Sequence, residues 1–335
     1  MPGLSQIYDA LRTIRENGVP ETPLVRSELS DRGAEVLLKL ETLQPTGAFK
    51  LRGATNAIAR LAPYQRERGV VCASTGNHGR AVAHAARAMG TRAIVCLSAL
   101  VPDTKAKAIE ALGAQVRRVG RSQDDAQREV ERLVAENGMA AVPPFDDEDV
   151  IAGQGTIAIE LLAARPDLEA IVVPLSGGGL MAGIAAAAKA MKPRIRMIGV
   201  SMDRGAAMAE SLRAGRPVET EEVASLADSL GGGIGLRNRH TFALCRDLVD
   251  EVILVTEDEI YRGMRSLFHD DRLVAEGASA TGHAALLAGK LELSGPTAFI
   301  LSGRNVDMAQ FAAVVAGEPV RVGDMSVGGQ HEAPA

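Results

Sequence analysis

At 335 residues the chain can bury a large core, and its length favours two domains or lobes over one. It is 46% hydrophobic but only 3% aromatic and lacks Trp, so its interior must be Ala, Val, Leu, Ile and Gly, as where helices pack closely on a parallel sheet. A net charge of −5, with both signs mixed and no basic stripe, argues against nucleic acid as a partner.

Short apolar, β-rich runs alternate with Ala-rich amphipathic stretches along the chain. The pattern predicts a strand over 36–41, a helix over 52–61, then strand 69–73, helix 79–89, strand 92–96, helix 104–112, strand 115–119 and helix 122–136. It continues with helix 154–164, strand 170–174, helix 180–191, strand 196–200, strand 251–255, helix 257–269, helix 282–290 and strand 298–302. Such alternation predicts an α/β fold of two doubly wound parallel-sheet domains rather than a sandwich or a bundle. Pro143-Pro144, followed by Phe145-Asp146-Asp147-Glu148-Asp149, reads as a connector between two βα series. The expected division is a small domain over 47–144, a discontinuous large domain over 1–46 and 145–320, and a poorly ordered Gly- and Pro-containing tail over 321–335.

Cys72, Cys96 and Cys245 lie far apart without CxxC spacing, which argues against a zinc site or a disulfide framework and predicts buried thiols. His78 and His84 are not at the spacing of helical metal ligands, and no metal is expected. Met1-Pro2-Gly3-Leu4-Ser5 does not read as a signal peptide, and apolar stretches such as 184–188 are too short to span a bilayer. The expectation is a cytoplasmic protein without a membrane partner.

Four short segments carry the chemistry. Ser176-Gly177-Gly178-Gly179-Leu180 falls at a strand-to-helix turn, where backbone N–H groups converge on an anion and missing Cβ atoms let a phosphate approach. Its spacing is neither Walker A nor GxGxxG, and the alternative is a turn needed for close packing. Lys50, in Thr46-Gly47-Ala48-Phe49-Lys50-Leu51-Arg52-Gly53, has apolar neighbours whose desolvation would lower its pKa and free a nucleophilic amine. Otherwise it is one more solvated lysine. In Ser74-Thr75-Gly76-Asn77-His78-Gly79, Asn77 and Thr75 either cap the following helix or face a ligand. Ser302 closes the last strand, in Leu301-Ser302-Gly303-Arg304-Asn305. All four lie at strand ends or the turns after them, where open α/β sheets collect ligands. An amine with a phosphate cradle is the equipment for holding a phosphorylated aldehyde as a Schiff base.

Together these motifs resemble the fold-type II (tryptophan synthase β-like) pyridoxal-phosphate enzymes, within them the threonine/serine dehydratase and serine racemase group. The resemblance runs from Thr22-Pro23-Leu24 to about Phe311 and includes Asp149-Val150-Ile151-Ala152-Gly153-Gln154-Gly155-Thr156 and Ala227-Asp228-Ser229-Leu230. It implies an active site between two domains, with Lys50 bound to the cofactor aldehyde and Phe49 packed on the ring. Asn77 would contact the ring hydroxyl, Ser176, Gly177, Gly178, Gly179 and Leu180 would hold the phosphate, and Ser302 would face the ring nitrogen. Ser74, Thr75, Asn77 and His78 would meet the substrate, an amino acid, and a homodimer is implied. Departures include Ala48 where the family has Ser, Ser176 where it has a first Gly, and Arg304 where it has Gly. Ser201-Met202-Asp203-Arg204 replaces the acidic ligands of the racemase-type metal site. Leu230-Gly231-Gly232-Gly233-Ile234-Gly235-Leu236 resembles the subgroup of hydroxyectoine utilisation.

The implied activity is α,β-elimination from a β-hydroxy-α-amino acid, with Lys50 as base and the products a 2-oxo acid and ammonia. Racemisation through Thr75 is the nearest rival, and a non-catalytic cofactor-binding regulator the next. Arg304, Arg237 and Arg239 are candidates either for selecting an acidic side chain or for plain surface charge.

Overall fold

The computed structural model describes residues 2–31, 34–101 and 103–329. In chain order come α1 (Leu4–Glu16), β1 (Leu24–Arg26), β2 (Val36–Leu40), α2 (Lys50–Arg60), α3 (Pro63–Arg68), β3 (Val70–Ala73), α4 (Asn77–Ala88) and β4 (Ala93–Leu97). Next are α5 (Asp103–Glu110), β5 (Gln115–Arg118), α6 (Gln123–Asn137), β6 (Ala140–Ala141), α7 (Glu148–Ala164), β7 (Ala170–Pro174), α8 (Gly179–Met191), β8 (Arg196–Met202) and α9 (Ala207–Ala214). Last are α10 (Thr241–Leu248), β9 (Glu251–Val255), α11 (Glu257–His269), α12 (Gly277–Leu287), β10 (Thr297–Leu301), α13 (Met308–Ala316), β11 (Val320–Val322) and β12 (Met325–Val327).

The strands form two main sheets. One has the order β1-β2-β10-β7-β8-β9, parallel except for β1, and the other the wholly parallel order β5-β4-β3-β6. Strands β2, β7 and β10 are buried at every position, as expected of a sheet covered on both faces, and are apolar except for Lys39 and Thr297. Helices α7 and α8 are buried almost all round, so they cannot be surface helices. They pack backbone to backbone: a Cβ on Gly183 would lie 2.6 Å from Gly155 N, and one on Gly153 would lie 2.6 Å from Gly53 Cα in α2. Cys72, Cys96 and Cys245 are free and buried.

The acidic stretch read as a connector is partly helical. Asp147 accepts from Asp149 N and Val150 N at 2.9 Å and caps α7, which starts at Glu148 rather than 154. Its acidic first turn complements the helix dipole. The tail also departs from expectation: β11 and β12 pair as an antiparallel hairpin, and Gly328 N donates to Asp258 Oδ1 at 3.0 Å on α11. Residues 330–335 of that expected tail lie outside the described residues. Helix α1 was not anticipated, although Ile7, Ala10, Leu11 and Ile14 recur at helical spacing and are its buried face.

Arg52, in the first turn of the Lys50 helix, is wholly buried. Its Nε and Nη2 donate to Glu41 at 2.8 Å each, and its Nη1 and Nη2 donate to Glu160 at 2.7 Å each. Lys39 Nζ in β2 donates to Glu160 at 2.6 Å and to Thr22 O at 2.6 Å, so two cations and two carboxylates balance. Removing the guanidinium leaves two buried carboxylates with one cation between them, and Glu41 without its ion pair. Arg52→Leu is therefore expected to cost about 3–5 kcal/mol of folding stability, measured as a lowered denaturant midpoint.

Candidate active site

Lys50 is the first residue of α2 and is held beside the end of β10 by backbone pairing. Phe49 N donates to Ser302 O at 3.0 Å, Arg304 N donates to Gly47 O at 2.9 Å, and Ala48 bridges Gly303. Gly47 has φ +75°, and a Cβ there would meet Asn305 Oδ1 at 2.8 Å. From this anchored turn Lys50 Nζ donates to Pro144 O at 2.6 Å and lies 5.2 Å from the Phe49 ring centroid. Burial pulls its pKa down from 10.5 to about 8, with the Glu276 carboxylate acting in the opposite sense. A sizeable fraction of this amine is neutral near physiological pH, as a nucleophile requires.

Pro144 also leads to the glycine turn. Phe145 underlies it: Cβ atoms on Gly177 and Gly179 would collide with the Phe145 ring and backbone respectively. Gly178 has φ +87°, and a Cβ there would lie 2.6 Å from Met208 Cε, so this position excludes side chains on two counts. The turn opens α8, whose first N–H groups have no intrahelical acceptor and attract an anion. Ser176 Oγ donates to Leu230 O at 2.9 Å, which ties the turn to the 227–230 segment.

Asn77 begins α4, at the carboxyl end of β3. Its Nδ2 donates to Glu276 Oε1 at 2.9 Å and Oε2 at 3.2 Å, while its Oδ1 accepts from Asn305 Nδ2 at 2.6 Å. Ser302 is buried at the end of β10, with its Oγ 3.1 Å from Ser279 Oγ. A neutral hydroxyl pair, an amide, a glycine-lined helix N-terminus and an amine of lowered pKa thus come from α2, α4, α8, α12 and the β10 end. The donor set fits pyridoxal phosphate: amine for aldehyde, helix N-terminus for phosphate, neutral polar groups for the ring.

Residues 16–303 match the family described as pyridoxal-phosphate dependent enzyme. The chain belongs to that family. It is 40% identical to the L-threonine ammonia-lyase of Thermotoga maritima, over 93% of this chain and 78% of that protein. It is 37% identical to the L-threo-3-hydroxyaspartate ammonia-lyase of Saccharomyces cerevisiae, over 95% and 98%. A Sinorhizobium fredii protein, provisionally named a threonine dehydratase, is 54% identical over 94% of this chain and 95% of its own. Among solved structures, maize serine racemase superposes with TM-score 0.87 at 32% identity, over 94% of this chain and 97% of that one. The fold is that of the fold-type II pyridoxal-phosphate enzymes, and the chain is an enzyme of that group.

Several expected site residues sit less simply than their motif implies. Ser74 and Thr75 are half-buried in the turn after β3. His78 is buried, with Nε2 2.8 Å from Val142 O, so that nitrogen is the protonated one and Nδ1 is left without a partner. Burial and then the Lys50 charge push its pKa down to about 3. Only its backbone N–H, in the first turn of α4, is therefore suited to meet a carboxylate. Arg304 is exposed and lines a recess of about 270 Å³ with Pro45, Thr46, Arg80 and Asn305, while Arg237 and Arg239 are surface residues. Among the described residues, no group of three or more His, Cys, Asp or Glu is placed to hold a metal ion.

Glu276 carries no motif signal of its own in the sequence, and Pro144 and Phe145 read there only as part of a connector. For Glu276 one clue existed: an acid between Leu273-Val274-Ala275 and Gly277-Ala278 sits in a run that packing should bury, and buried acids need partners. With cofactor removed, acylation of Lys50 should rise steeply between pH 7 and 9 and reach half-maximum near pH 8. Peptide mapping after pulse labelling measures this; a half-maximum near 10.5 would mean that the amine is fully solvated.

Proposed function

We propose that the protein catalyses α,β-elimination of a β-hydroxy-α-amino acid, yielding a 2-oxo acid and ammonia. The observation that carries this reading is that Lys50 Nζ donates to the carbonyl of Pro144, whose neighbour Phe145 underlies the α8 glycine turn. When bound, pyridoxal phosphate supplies an aldehyde that captures amines and an electron sink that acidifies the substrate Cα–H.

The chain's residues do the rest. Lys50 would hold the cofactor aldehyde, and its free amine would take the Cα proton on Nζ. The α8 N-terminus and Gly177, Gly178, Gly179 and Leu180 bind the phosphate, and Phe49 and Asn77 position the ring. Ser176 belongs to this turn through its backbone, since its hydroxyl is engaged with Leu230. Ser302 presents an uncharged hydroxyl to the ring nitrogen, which limits the sink and favours prompt loss of the β-hydroxyl. Free N–H groups at the start of α4, with Ser74 and Thr75, orient the substrate carboxylate. The unsaturated amine that forms becomes an imine, and water releases the oxo acid and ammonia.

Threonine, serine, hydroxyaspartate and a hydroxyectoine-derived amino acid are the candidate substrates. The names of the Thermotoga and Saccharomyces relatives support the first and third. A homodimer in the cytoplasm is part of the same proposal. The likeness to maize serine racemase favours a second reading, in which Thr75 returns a proton to Cα from the face opposite Lys50.

Incubation with serine, threonine and hydroxyaspartate distinguishes these readings: oxo acid for elimination, inverted amino acid for racemisation, neither for a regulator. Lys50→Ala should lower elimination by about 10²–10⁴-fold or more, the range for loss of a general base. Elimination that survives Lys50→Ala would refute the base assignment. Thr75→Ala should suppress any racemisation more strongly than elimination, measured by chiral chromatography beside oxo-acid release.

A further inference from the structure

Glu276 is almost completely buried at the start of α12, and every group that touches its carboxylate is a donor. Asn77 Nδ2 reaches both oxygens at 2.9 and 3.2 Å, Ser229 Oγ donates to Oε1 at 2.9 Å, and Asn305 N donates to Oε2 at 3.1 Å. Two of these partners, Asn77 Nδ2 and Asn305 N, can only donate, which suits an ionised carboxylate, while the Ser229 hydroxyl fits either form. Burial raises its pKa, the donations from Asn77 and Ser229 pull it back, and Asp228 from the neighbouring turn adds repulsion. Gly303 lies flat against the carboxylate: a Cβ there would be 2.8 Å from Oε1.

Two consequences converge on the amine and the amide of the site. The flip of a primary amide is set by its partners, because oxygen accepts and nitrogen donates. A carboxylate can only accept and Asn305 Nδ2 can only donate, so between them Asn77 has one permitted orientation, with its nitrogen toward Glu276 and its oxygen toward Asn305. The same carboxylate lies against Gly303, which bridges Ala48 two residues before Lys50, and its negative charge opposes the desolvation of that amine, while the His78 ring is kept neutral.

We propose that Glu276 is a positioning residue of this site: it fixes the Asn77 amide in one flip and supplies the charge that keeps a proton on the nitrogen at Lys50. This rests on the reading that Lys50 and Asn77 bind pyridoxal phosphate, and it adds a residue that no motif pointed to.

The test uses purified holoprotein. Wild type must first bind pyridoxal phosphate with a visible absorption band; if it does not, the cofactor reading fails and the role of Glu276 with it. Given binding, Glu276→Gln should weaken equilibrium affinity for pyridoxal phosphate by about tenfold or more, the scale of one charge-assisted hydrogen bond. It should also move the pH midpoint of the visible band down by about one unit or more, since removing a negative charge disfavours the protonated nitrogen. Glu276→Asp keeps the charge without the reach, so its midpoint should stay near wild type while affinity falls. Asn305→Ala should weaken affinity and leave the midpoint unmoved. Unchanged affinity and midpoint in Glu276→Gln overturn the proposal. Should that variant fail to fold, Asn305→Ala decides, and unchanged affinity there overturns the amide lock.

Discussion

A charged residue sealed in the interior two positions beyond the reactive amine sets the geometry of everything else. The Arg52 guanidinium is shared between Glu41, just after β2, and Glu160 in α7, and Lys39 completes the set from β2. Ions out of water are costly unless their geometry and partners are nearly complete. Here donors and acceptors are matched, with Thr22 Oγ1 donating to Glu41 at 2.6 Å and Thr156 Oγ1 accepting from Arg52 Nη1 at 3.1 Å. An arrangement with so few alternatives fixes how α2 lies against α7 and β2. The first turn of α2, and therefore Lys50, inherits that position.

Glycine performs the complementary task. Gly53 against Gly153 and Gly155 against Gly183 let α2, α7 and α8 approach at backbone distance, closer than side chains allow. The low aromatic content follows from the same packing, because a core of closely spaced helices has no room for large rings. Phe145 is an exception with a purpose: it fills the space beneath the glycine turn, and its neighbour Pro144 gives the carbonyl that receives Lys50 Nζ. One short segment therefore touches both the amine and the anion cradle, though the two are more than a hundred residues apart in sequence.

The electrostatics of the cleft are arranged by burial more than by net charge. Lys50 loses proton affinity through desolvation, His78 is kept neutral by the same cause, and Glu276 is the one carboxylate whose field opposes the trend at the amine. A neutral Ser302 at the far end adds no charge.

The architecture was legible in the sequence because it depends on local periodicity. Strand 251–255 and helix 257–269 match the expected bounds, and the parallel strands fall where apolar runs alternate with Ala-rich stretches. Short edge elements escaped: β1, with Leu24–Arg26, and β6, with Ala140–Ala141, exist because a neighbouring strand offers hydrogen bonds. The β11–β12 hairpin likewise forms against α11 in a stretch whose composition reads as a loose tail. Lys50 and the glycine turn were readable because their chemistry is concentrated in contiguous residues. Glu276 was not, because its partners Asn77, Ser229 and Asn305 are distributed over most of the chain. By itself the sequence determined the α/β alternation, the lysine turn and the glycine turn that opens α8, since each is set by neighbours a few positions away. Only the tertiary structure decided which carboxylate lies beside the Lys50 turn, which way the Asn77 amide points and that Arg304 lines a recess with Gly47 and Asn305. Those are consequences of distance in space, and spacing along the chain does not encode them.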